Sequence, residues 1–352
     1  MTNPIPLLRN SERKDFKRCL LRWHWRYNEQ LVPINFSTGP LLFGSLGHLA
    51  LAEWYVPGLQ RGIDPQETWE KITQDLWDVV KLEKYVDDEV EGTWEDARKL
   101  GHLILEHYKT HWGNDDHWEV LWVEDQFQQN IPYPGDLLKR RRAAKAGKPL
   151  PPLRPIVRYV GTIDLIVRNH ITGLIEYVDH KFMKTIETDH LFIDDQNGGY
   201  LSIGTHELRQ RGAIGPKESV RVLVYNFVRK AKPDERPQNE AGKYLNKDGS
   251  VSKKQPAPYF HRERIERTGA ERNRQIVRIG QEAQHIQAIR DGKLPIIKNP
   301  TRDCKWDCSF FDLCQIHESG GDIAFAKGEL FKKEDPYVEY TTGVTDKRLT
   351  ER

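Results

Sequence analysis

Two acids and a lysine interrupt apolar stretches near the middle of the chain. Asp164 lies in GTIDLIV, and Asp179 and Lys181 lie in YVDHKFM. Residues two apart in a strand share a face, so we expect Asp179 and Lys181 to point the same way. The turn NHITG separates the two stretches, and pairing symmetric about Ile171 and Thr172 would place Asp164 opposite Asp179. Two facing carboxylates repel each other unless something compensates their charge.

A divalent cation would supply that compensation, because Mg²⁺ takes one or two carboxylates together with water and substrate phosphate. The alternative is a solvated sheet edge that carries an Asp–Lys ion pair. The Asp…Asp-x-Lys pattern is short, and by itself it does not separate these two interpretations.

Three further side chains could belong to the same site. His48 lies in GSLGH at the head of an apolar helical stretch, and imidazole is a good metal ligand. Gln196 and Tyr200 are four apart on a predicted helix and therefore share a face. Each of the three has an ordinary structural interpretation when taken alone, so the information lies in their order along the chain.

The series G-x3-H, G-x-x-D, D-x-K and Q-x3-Y resembles the motif series of the RecB-like branch of the PD-(D/E)-x-K nucleases. That branch includes the AddB-type helicase-nucleases and the CRISPR-associated RecB-like exonucleases. The resemblance extends over roughly residues 11–314. It implies that His48, Asp164 and Asp179 bind Mg²⁺ or Mn²⁺, helped by the backbone carbonyl of His180.

The resemblance also implies roles for the remaining side chains. Lys181 would orient the attacking water and help it lose its proton, Gln196 would support that lysine and water, and Tyr200 would lie near the phosphate. Glu124, in the preceding strand, matches an acid often seen there and is treated as supporting. The acid of the D-x-K motif is Asp179, since Glu176 lies on the opposite face of the strand.

The chain has four cysteines, and one four-cysteine site would use them all. Cys304, Cys308 and Cys314 are spaced x3 and x5, and Cys19 lies far upstream. Thiolate tetrads suit zinc or an iron–sulfur cluster, and the chemistry alone leaves both open. A distant N-terminal cysteine with a C-terminal trio resembles the cluster-containing RecB-like nucleases, which implies 4Fe–4S, although the first spacing there is usually x2. Such a cluster would clamp the two ends of the chain together.

A basic segment, KRRRAAKAGKPLPPLR, occupies residues 139–154 and contains no acid. We expect it to project as a loop between two core strands. Arg140, Arg141, Arg142 and Lys145 would then attract a nucleic-acid backbone without regard to sequence. The alternative is a solvated, disordered loop.

Three aromatic residues follow the first cysteine. Trp23, Trp25 and Tyr27 could stack on single-stranded bases, although packing around the metal site is favoured for at least two of them.

The elements that would position these residues follow from periodicity and turn residues. Helices are predicted at about 11–30, 43–57, 64–83, 93–111, 192–211 and 264–290, and strands at 118–128, 156–168, 173–181 and 220–228, with a polar excursion over 229–262. The order predicts an α/β fold with a small mixed central sheet flanked by helices. The resemblance implies a restriction-endonuclease-like core, with the N- and C-terminal segments joined by the Fe–S cluster.

The sequence predicts one domain followed by a tail. Residues 1–318 would form one RecB-like nuclease domain, and 319–352 a polar, flexible tail. Within the domain we expect a helical part at about 1–115, a sheet core at about 116–230, and a C-terminal helix and cysteine segment at about 264–318.

Composition sets broader limits. Lys and Arg (54) nearly balance Asp and Glu (52). The net charge therefore does not by itself indicate a nucleic-acid partner. No apolar stretch approaches the roughly 18 residues that suggest a membrane span, and the N-terminus lacks a signal-peptide core. We therefore expect a soluble, cytoplasmic protein without a membrane partner.

The leading hypothesis is a metal-dependent DNA exonuclease that acts on single strands or on DNA ends, in recombination, repair or processing. One alternative is a structure-specific endonuclease that uses the same residues. Another is a non-catalytic nucleic-acid-binding protein that keeps the fold.

Overall fold

A mixed β-sheet of six strands forms the centre of the part of the chain that the structure describes. The computed structural model describes residues 4–34, 40–83 and 88–341. Its strands are β1 (Leu7–Arg9), β2 (Leu31–Pro33), β3 (Trp118–Pro132), β4 (Pro155–Asn169), β5 (Leu174–Met183), β6 (Val222–Arg229), β7 (Phe260–Glu266) and β8 (Phe331–Lys333). β2 and β8 form a separate antiparallel pair.

Long β4 organises the central sheet. One of its edges pairs with β3 in antiparallel fashion from Trp118↔Asn169 to Pro132↔Pro155. The other edge is shared between parallel β1 in its first half and antiparallel β5 in its second half. Parallel β6 and antiparallel β7 then extend the sheet beyond β5.

Helices surround this sheet. They are α1 (Asn10–Arg18), α2 (Leu20–Trp23), α3 (Pro40–Trp54), α4 (Pro65–Glu83), α5 (Asp88–Trp112), α6 (Pro134–Lys145), α7 (Asp195–Gln210), α8 (Gly269–Arg290), α9 (Cys304–Asp307), α10 (Phe311–Glu318), α11 (Ile323–Leu330) and α12 (Val338–Thr341). A π-helical turn (His24–Asn28) and a 3₁₀ turn (Asp189–Ile193) complete the regular elements.

The apolar core has a layer on each face of the sheet. On one face, Leu51 of α3 is buried in the same cluster as Val178 of β5. On the other, Leu201 of α7 and Ile279 of α8 are buried with Tyr177 of β5. Adjacent residues of β5 thus point to opposite layers, as strand alternation requires. The predicted α/β class, with a mixed central sheet flanked by helices, is confirmed.

The first predicted helix is interrupted. In place of one helix over 11–30, α1 ends at Arg18, and Cys19 adopts an extended conformation with φ −166° and ψ 120°. α2 and the π-helical turn follow. The sequence shows no proline or glycine at this point, so local helix propensity gave no warning of the break.

Several other predicted elements differ from the structure. Residues 139–145 belong to α6, so the predicted basic loop is helical in its first half. Residues 264–266 belong to strand β7, and the following helix begins only at Gly269, after the capping box of Thr268 and Glu271. Part of the predicted flexible tail is folded, because α11, β8 and α12 lie within it; residues 342–352 lie outside the described residues.

Among the helices that the structure describes, none combines the length and apolarity needed to cross a membrane.

Candidate active site

The β4–β5 hairpin brings the two predicted acids together at the end of its ladder, where β4 stops pairing with β5. The pair of this ladder that lies farthest from the turn is Leu165↔Val178. The next positions in that register are therefore Asp164 and Asp179. The predicted register is therefore confirmed. The ladder ends there, and the same edge of β4 pairs with β1 up to Val160. Asp164 thus lies where β4 passes from one neighbour to the other.

The alternation of faces along β4 shifts at the same point. Ile163 is buried in the layer of α7 and α8, whereas Leu165, two residues further on, is buried in the layer of α3, α4 and α5. Residues two apart normally share a face. The local irregularity therefore re-aims the carboxylate of Asp164 between the two layers.

β3 carries a matching irregularity. Its ladder with β4 places Glu124 opposite Asp164, between the paired residues Val123 and Asp125. Glu124 has a φ of 48°, in the left-handed region that a non-glycine residue adopts at a cost of roughly 1–2 kcal/mol. Such strained positions concentrate at functional sites, where surrounding structure holds them. With this backbone conformation, a carboxylate oxygen of Glu124 lies within 4.8 Å of one of Asp164.

Gly47 allows α3 to pack closely against β5, which positions His48 beside Asp164. A Cβ on Gly47 would lie 2.5 Å from the ring of Phe182, so only glycine permits this close approach of α3 to β5. His48, the next residue, then places Nδ1 at 3.2 Å from Oδ2 of Asp164. Asp164 also accepts a hydrogen bond of 2.6 Å from the backbone N of His180.

One nitrogen of His48 and one carboxylate oxygen each of Glu124 and Asp164 all lie within 4.8 Å of one another. Burial opposes a charge on His48, but the negative charge of Asp164 and the hydrogen bond between them outweigh it and raise the pKa of the imidazole. Burial likewise opposes ionisation of Asp164, yet His48 and nearby Lys181 hold the pKa of this carboxyl well below its usual range. Asp164 is therefore ionised although it is buried.

The second half of the site is built on β5 and α7. Lys181 forms an ion pair with Asp179, and its Nζ donates to Oε1 of Gln196 at 3.2 Å. Nε2 of Gln196 donates to Asp179 at 2.8 Å and to the hydroxyl of Tyr200 at 3.3 Å. The predicted shared face of Asp179 and Lys181 is confirmed, and the Gln-x3-Tyr pair faces it. The carboxylate of Asp179 contacts Lys181 and Gln196. The compact group of candidate metal ligands consists instead of His48, Glu124 and Asp164.

The pKa values of the two acids of the hairpin are shifted in opposite directions, down for Asp164 and up for Asp179. Burial raises the pKa of Asp179, Lys181 opposes this shift, and the negative charge of Asp164 adds to it. Burial disfavours the ammonium of Lys181, but the charges of Asp179 and Asp164 outweigh it and raise the pKa of the lysine. Two coupled carboxylates with pKa values driven apart are typical of acid–base sites.

A buried polar network supports the strand behind the site. Asn226 donates to Nδ1 of His180 at 2.8 Å and to the hydroxyl of Tyr108 at 2.7 Å. Its carbonyl accepts from Arg262, which binds Asp115 through two bonds of 2.6 and 2.7 Å. Burial lowers the pKa of His180 to about 3, so its imidazole is neutral. The sequence predicted a role only for the backbone of His180 and gave no sign of this network.

The donor set of the compact group fits a divalent cation. Its imidazole nitrogen and two carboxylates suit Mn²⁺, and the oxygen-rich character of the site suits Mg²⁺. A carboxylate that is ionised while buried beside a second acid is the arrangement that a cation would stabilise. Glu124, treated as supporting at the sequence level, takes a central place in this group.

The four cysteines lie in one region where the ends of the chain meet. Cys19 accepts a hydrogen bond from the backbone N of Asn299 at 3.3 Å. Cys304 accepts one from the backbone N of Thr301 at 3.2 Å, and this bond lowers the pKa of its thiol. Burial raises the pKa of the other two thiols, Cys308 and Cys314, which also feel the charges of Cys19 and Cys304. Among the described residues, no three sulfurs lie within 4.8 Å of one another.

The predicted nucleic-acid-binding residues lie in the connection between β3 and β4. α6 follows β3, and the eight residues from Glu124 to the end of β3 span roughly 26 Å of extended strand. Arg141, Arg142 and Lys145 are exposed on α6, and Arg140 donates to the carbonyl of Pro151 at 3.1 Å. The structure therefore places this basic patch beyond the end of the β3–β4 pair where Pro132 pairs with Pro155.

The aromatic residues after Cys19 do not offer a stacking surface. Trp23, Trp25 and Tyr27 are buried, with exposed fractions of 0%, 3% and 5%. The stacking interpretation is therefore wrong for these residues, because their faces are already covered by the core.

The sequence profile of the PD-(D/E)XK nuclease superfamily matches residues 10–315. The chain belongs to this superfamily. Comparison with curated protein sequences gave no match. Membership indicates a nuclease that uses divalent metal and acts on nucleic acid, and the His48, Glu124 and Asp164 group provides suitable ligands.

Proposed function

We propose that the protein is a metal-dependent DNA exonuclease that prefers single strands or free DNA ends. The observation that carries the proposal is the compact group of His48, Glu124 and Asp164 directly beside the Asp179–Lys181–Gln196 cluster. A general nucleic-acid-binding protein would have no need for a buried, strained and mutually repelling set of acids. Recombination, repair or DNA processing is the setting that this activity suits.

His48, Glu124 and Asp164 would hold Mg²⁺ or Mn²⁺, with Asp179 and the backbone carbonyl of His180 as the further ligands that the sequence predicts. When bound there, the cation would polarise the scissile phosphate, lower the pKa of bound water and offset negative charge in the transition state.

Lys181 would orient the attacking water and help it lose its proton. Its ammonium is held by Asp179 and Gln196, which fix its direction at the edge of the ligand group. Gln196 bridges Lys181, Asp179 and Tyr200, so one amide sets the geometry of all three. Burial raises the pKa of Tyr200 well above its ordinary value, so its hydroxyl stays protonated and can donate to a phosphate oxygen.

The four cysteines are proposed to hold a 4Fe–4S cluster with a structural role. The proposal is supported by the position of the four thiols in one region where the ends of the chain meet and by the resemblance of one distant N-terminal cysteine and a C-terminal trio to the cluster-containing nucleases. A zinc site would use the same four thiolates.

The decisive experiment offers one DNA sequence in three forms: a linear single strand, a closed single-stranded circle and a blunt duplex, each with Mg²⁺ or Mn²⁺. We expect the linear strand to be degraded, the circle to survive, and the duplex to be degraded more slowly. Equal cleavage of circle and linear strand would identify an endonuclease instead. Binding without cleavage of any form would identify a non-catalytic protein.

A further inference from the structure

An open pocket of about 280 Å³ lies between α7 and α8, outside the candidate active site. Four of its lining residues come from α7 at positions i, i+3, i+4 and i+7, a spacing that puts them on one helix face. The lining side chains are polar or basic: Ser202, Thr205, His206, Arg209, Arg272 and Asn273. Its volume lies just below the roughly 300–1,000 Å³ of ordinary small-molecule sites.

Two arginines face this pocket without an acid beside them. No acidic residue is among the described residues that line it. Arg209 donates to the backbone carbonyl of Glu218 at 2.7 Å, and Arg272 donates to that of Val220 at 3.0 Å. Arg272 also donates to the hydroxyl of Thr205 at 3.4 Å. Each guanidinium is thus oriented by neutral acceptors, which do not neutralise its positive charge.

The surroundings add positive potential. The pKa of Arg272 is lowered by burial and then by the charges of Arg221 and Arg209. The pocket also borders the N-terminal turn of α8, whose first residue, Gly269, lines it. The acid of that turn, Glu271, is engaged by Thr268 in the capping box. An anion would relieve the repulsion between the arginines and face the positive end of a helix of 22 residues.

We propose that this pocket binds a phosphate group. Arg209 and Arg272 would supply paired N–H donors, which match phosphate oxygens in geometry. Asn273 would supply a neutral donor beside them, whereas the hydroxyls of Ser202 and Thr205 already donate to the backbone carbonyls of Gly198 and Val220.

Two sources could supply the phosphate. α7 carries Gln196 in its first turn and Thr205 nine residues later, about 14 Å along the helix axis. Because nine residues are about two and a half helical turns, Thr205 lies on the opposite side of α7 from Gln196. A nucleic-acid strand from the active site would therefore have to cross α7 to present a backbone phosphate there. Free inorganic phosphate would occupy the pocket without a strand.

The test measures binding in the absence of divalent metal, so it does not depend on cleavage or on the proposed nuclease function. One arm titrates inorganic phosphate by calorimetry. The other titrates a labelled single-stranded oligonucleotide by anisotropy at several salt concentrations. The variants are the double substitution Arg209→Gln and Arg272→Gln, and Asn273→Asp, which puts a carboxylate at an exposed position of the pocket and leaves both arginines in place. Arg274→Gln, on α8 but outside the pocket lining, is the control for lost charge.

We expect wild type and Arg274→Gln to bind alike, and both pocket variants to bind at least tenfold more weakly in at least one arm. Loss in the phosphate arm identifies a free anion site. Loss in the oligonucleotide arm, with a salt slope smaller by about 1 in the double variant, identifies a strand phosphate. Affinities equal to those of Arg274→Gln in both arms would overturn the proposal.

Discussion

At the residue scale, Asp164 connects the parts of the candidate site. Its carboxylate accepts the backbone N–H of His180 at 2.6 Å, lies 3.2 Å from Nδ1 of His48, and belongs to the ligand group with Glu124. The positive charge of His48 and its hydrogen bond keep Asp164 ionised although it is only 8% exposed. A neutral amide at this position would keep the shape of the side chain and lose the charge that a cation requires.

We therefore expect Asp164→Asn to reduce DNA cleavage by at least about a hundredfold, the scale on which removal of one electrostatic catalytic contact acts. Lys181→Met should have a similar effect, because it removes the ammonium held by Asp179 and Gln196. Asp125→Asn is the matched control, since that acid pairs with Arg211. Cleavage is measured on an end-labelled single strand. Full activity in Asp164→Asn with a folded protein would contradict the mechanism.

Glu124 gives a second prediction at this scale. Because its oxygen lies within 4.8 Å of the other two ligand atoms, Glu124→Gln should weaken metal binding. The Mn²⁺ concentration that gives half-maximal activity should rise at least about tenfold, by analogy with the loss of a supporting metal contact. The thermal stabilisation that Mn²⁺ gives the wild-type protein should shrink in parallel. An unchanged Mn²⁺ titration would remove Glu124 from the ligand set.

At the element scale, the packing of α3 against β5 decides where His48 lies. A Cβ on Gly47 would lie 2.5 Å from the Phe182 ring, whereas a Cβ on Gly44, in the same helix, would meet nothing within 4 Å. Gly47→Ala should push α3 away from β5 and lower both activity and the unfolding temperature. Gly44→Ala should be neutral or stabilise by up to about 1 kcal/mol, the difference in helix propensity.

A second substitution distinguishes an effect on the position of α3 from a general loss of folding. Phe182→Leu shortens the side chain that a Cβ at Gly47 would strike, so the double variant should recover part of the activity lost in Gly47→Ala. Activity assays and thermal melts of the four proteins would test this. A Gly47→Ala enzyme with wild-type activity would show that α3 does not need this close approach.

The first turn of α7 is held by a second group of charges. Asp195 lies against Lys17 and Arg13 of α1, and it accepts bonds from Gln275 at 2.8 Å and Arg278 at 3.0 Å. Burial alone would raise the pKa of Asp195, but the bonds from Lys17 and Gln275 and the charges of Arg13 and Lys17 hold it well below its usual range. This acid therefore joins α1, α7 and α8.

Its contribution to stability should depend on pH. An unfolded Asp has a pKa of about 3.9, and the folded value is lower. The stabilisation is therefore complete above about pH 4 and is lost as the pH falls toward the folded pKa. Asp195→Asn should lower the free energy of unfolding by about 1–3 kcal/mol at neutral pH, and this difference should shrink below pH 4. Urea unfolding across this range, with exposed Asp96→Asn as the control, would measure it.

The hairpin register and the face shared by Asp179 and Lys181 could be predicted from the sequence, because both follow from period-two alternation. The left-handed backbone of Glu124 could not, since it arises from a tertiary shift in both strands. Strand β7 was missed because its alternating charges, HRERIE, resemble a solvated segment. The His180 network was also hidden, because its partners Asn226 and Arg262 come from strands distant in sequence.

At the scale of the whole molecule, the two ends of the chain close on each other. β2 pairs with β8, and the hydroxyl of Tyr337 donates to buried Glu12, which also accepts from Trp23 and Arg290 at 2.9 Å each. Arg22 donates to the carbonyl of Asp307 at 2.8 Å, beside the cysteine region. These contacts hold the ends together without a metal.

The proposed cluster would add a covalent closure to these contacts. Joining Cys19 to Cys304, Cys308 and Cys314 restricts the unfolded chain over a very long loop, which favours the folded state. By comparison with cross-links that close long loops, the gain is about 2–5 kcal/mol. The noncovalent contacts at Arg22 and Glu12 should still allow the chain to fold when one thiolate is lost.

We expect protein purified without oxygen to be brown and to contain about four irons per chain, the number in the proposed cluster. Cys19→Ser should lose the colour and melt at a lower temperature, yet remain folded by circular dichroism. Arg22→Gln removes a bond between the same two segments and leaves every thiol in place, so it should melt lower while keeping its iron. Visible absorbance, metal analysis and melting curves distinguish these cases. Colourless wild-type protein with stoichiometric zinc would replace the cluster with a zinc site, whereas full iron in Cys19→Ser would exclude Cys19 as a ligand.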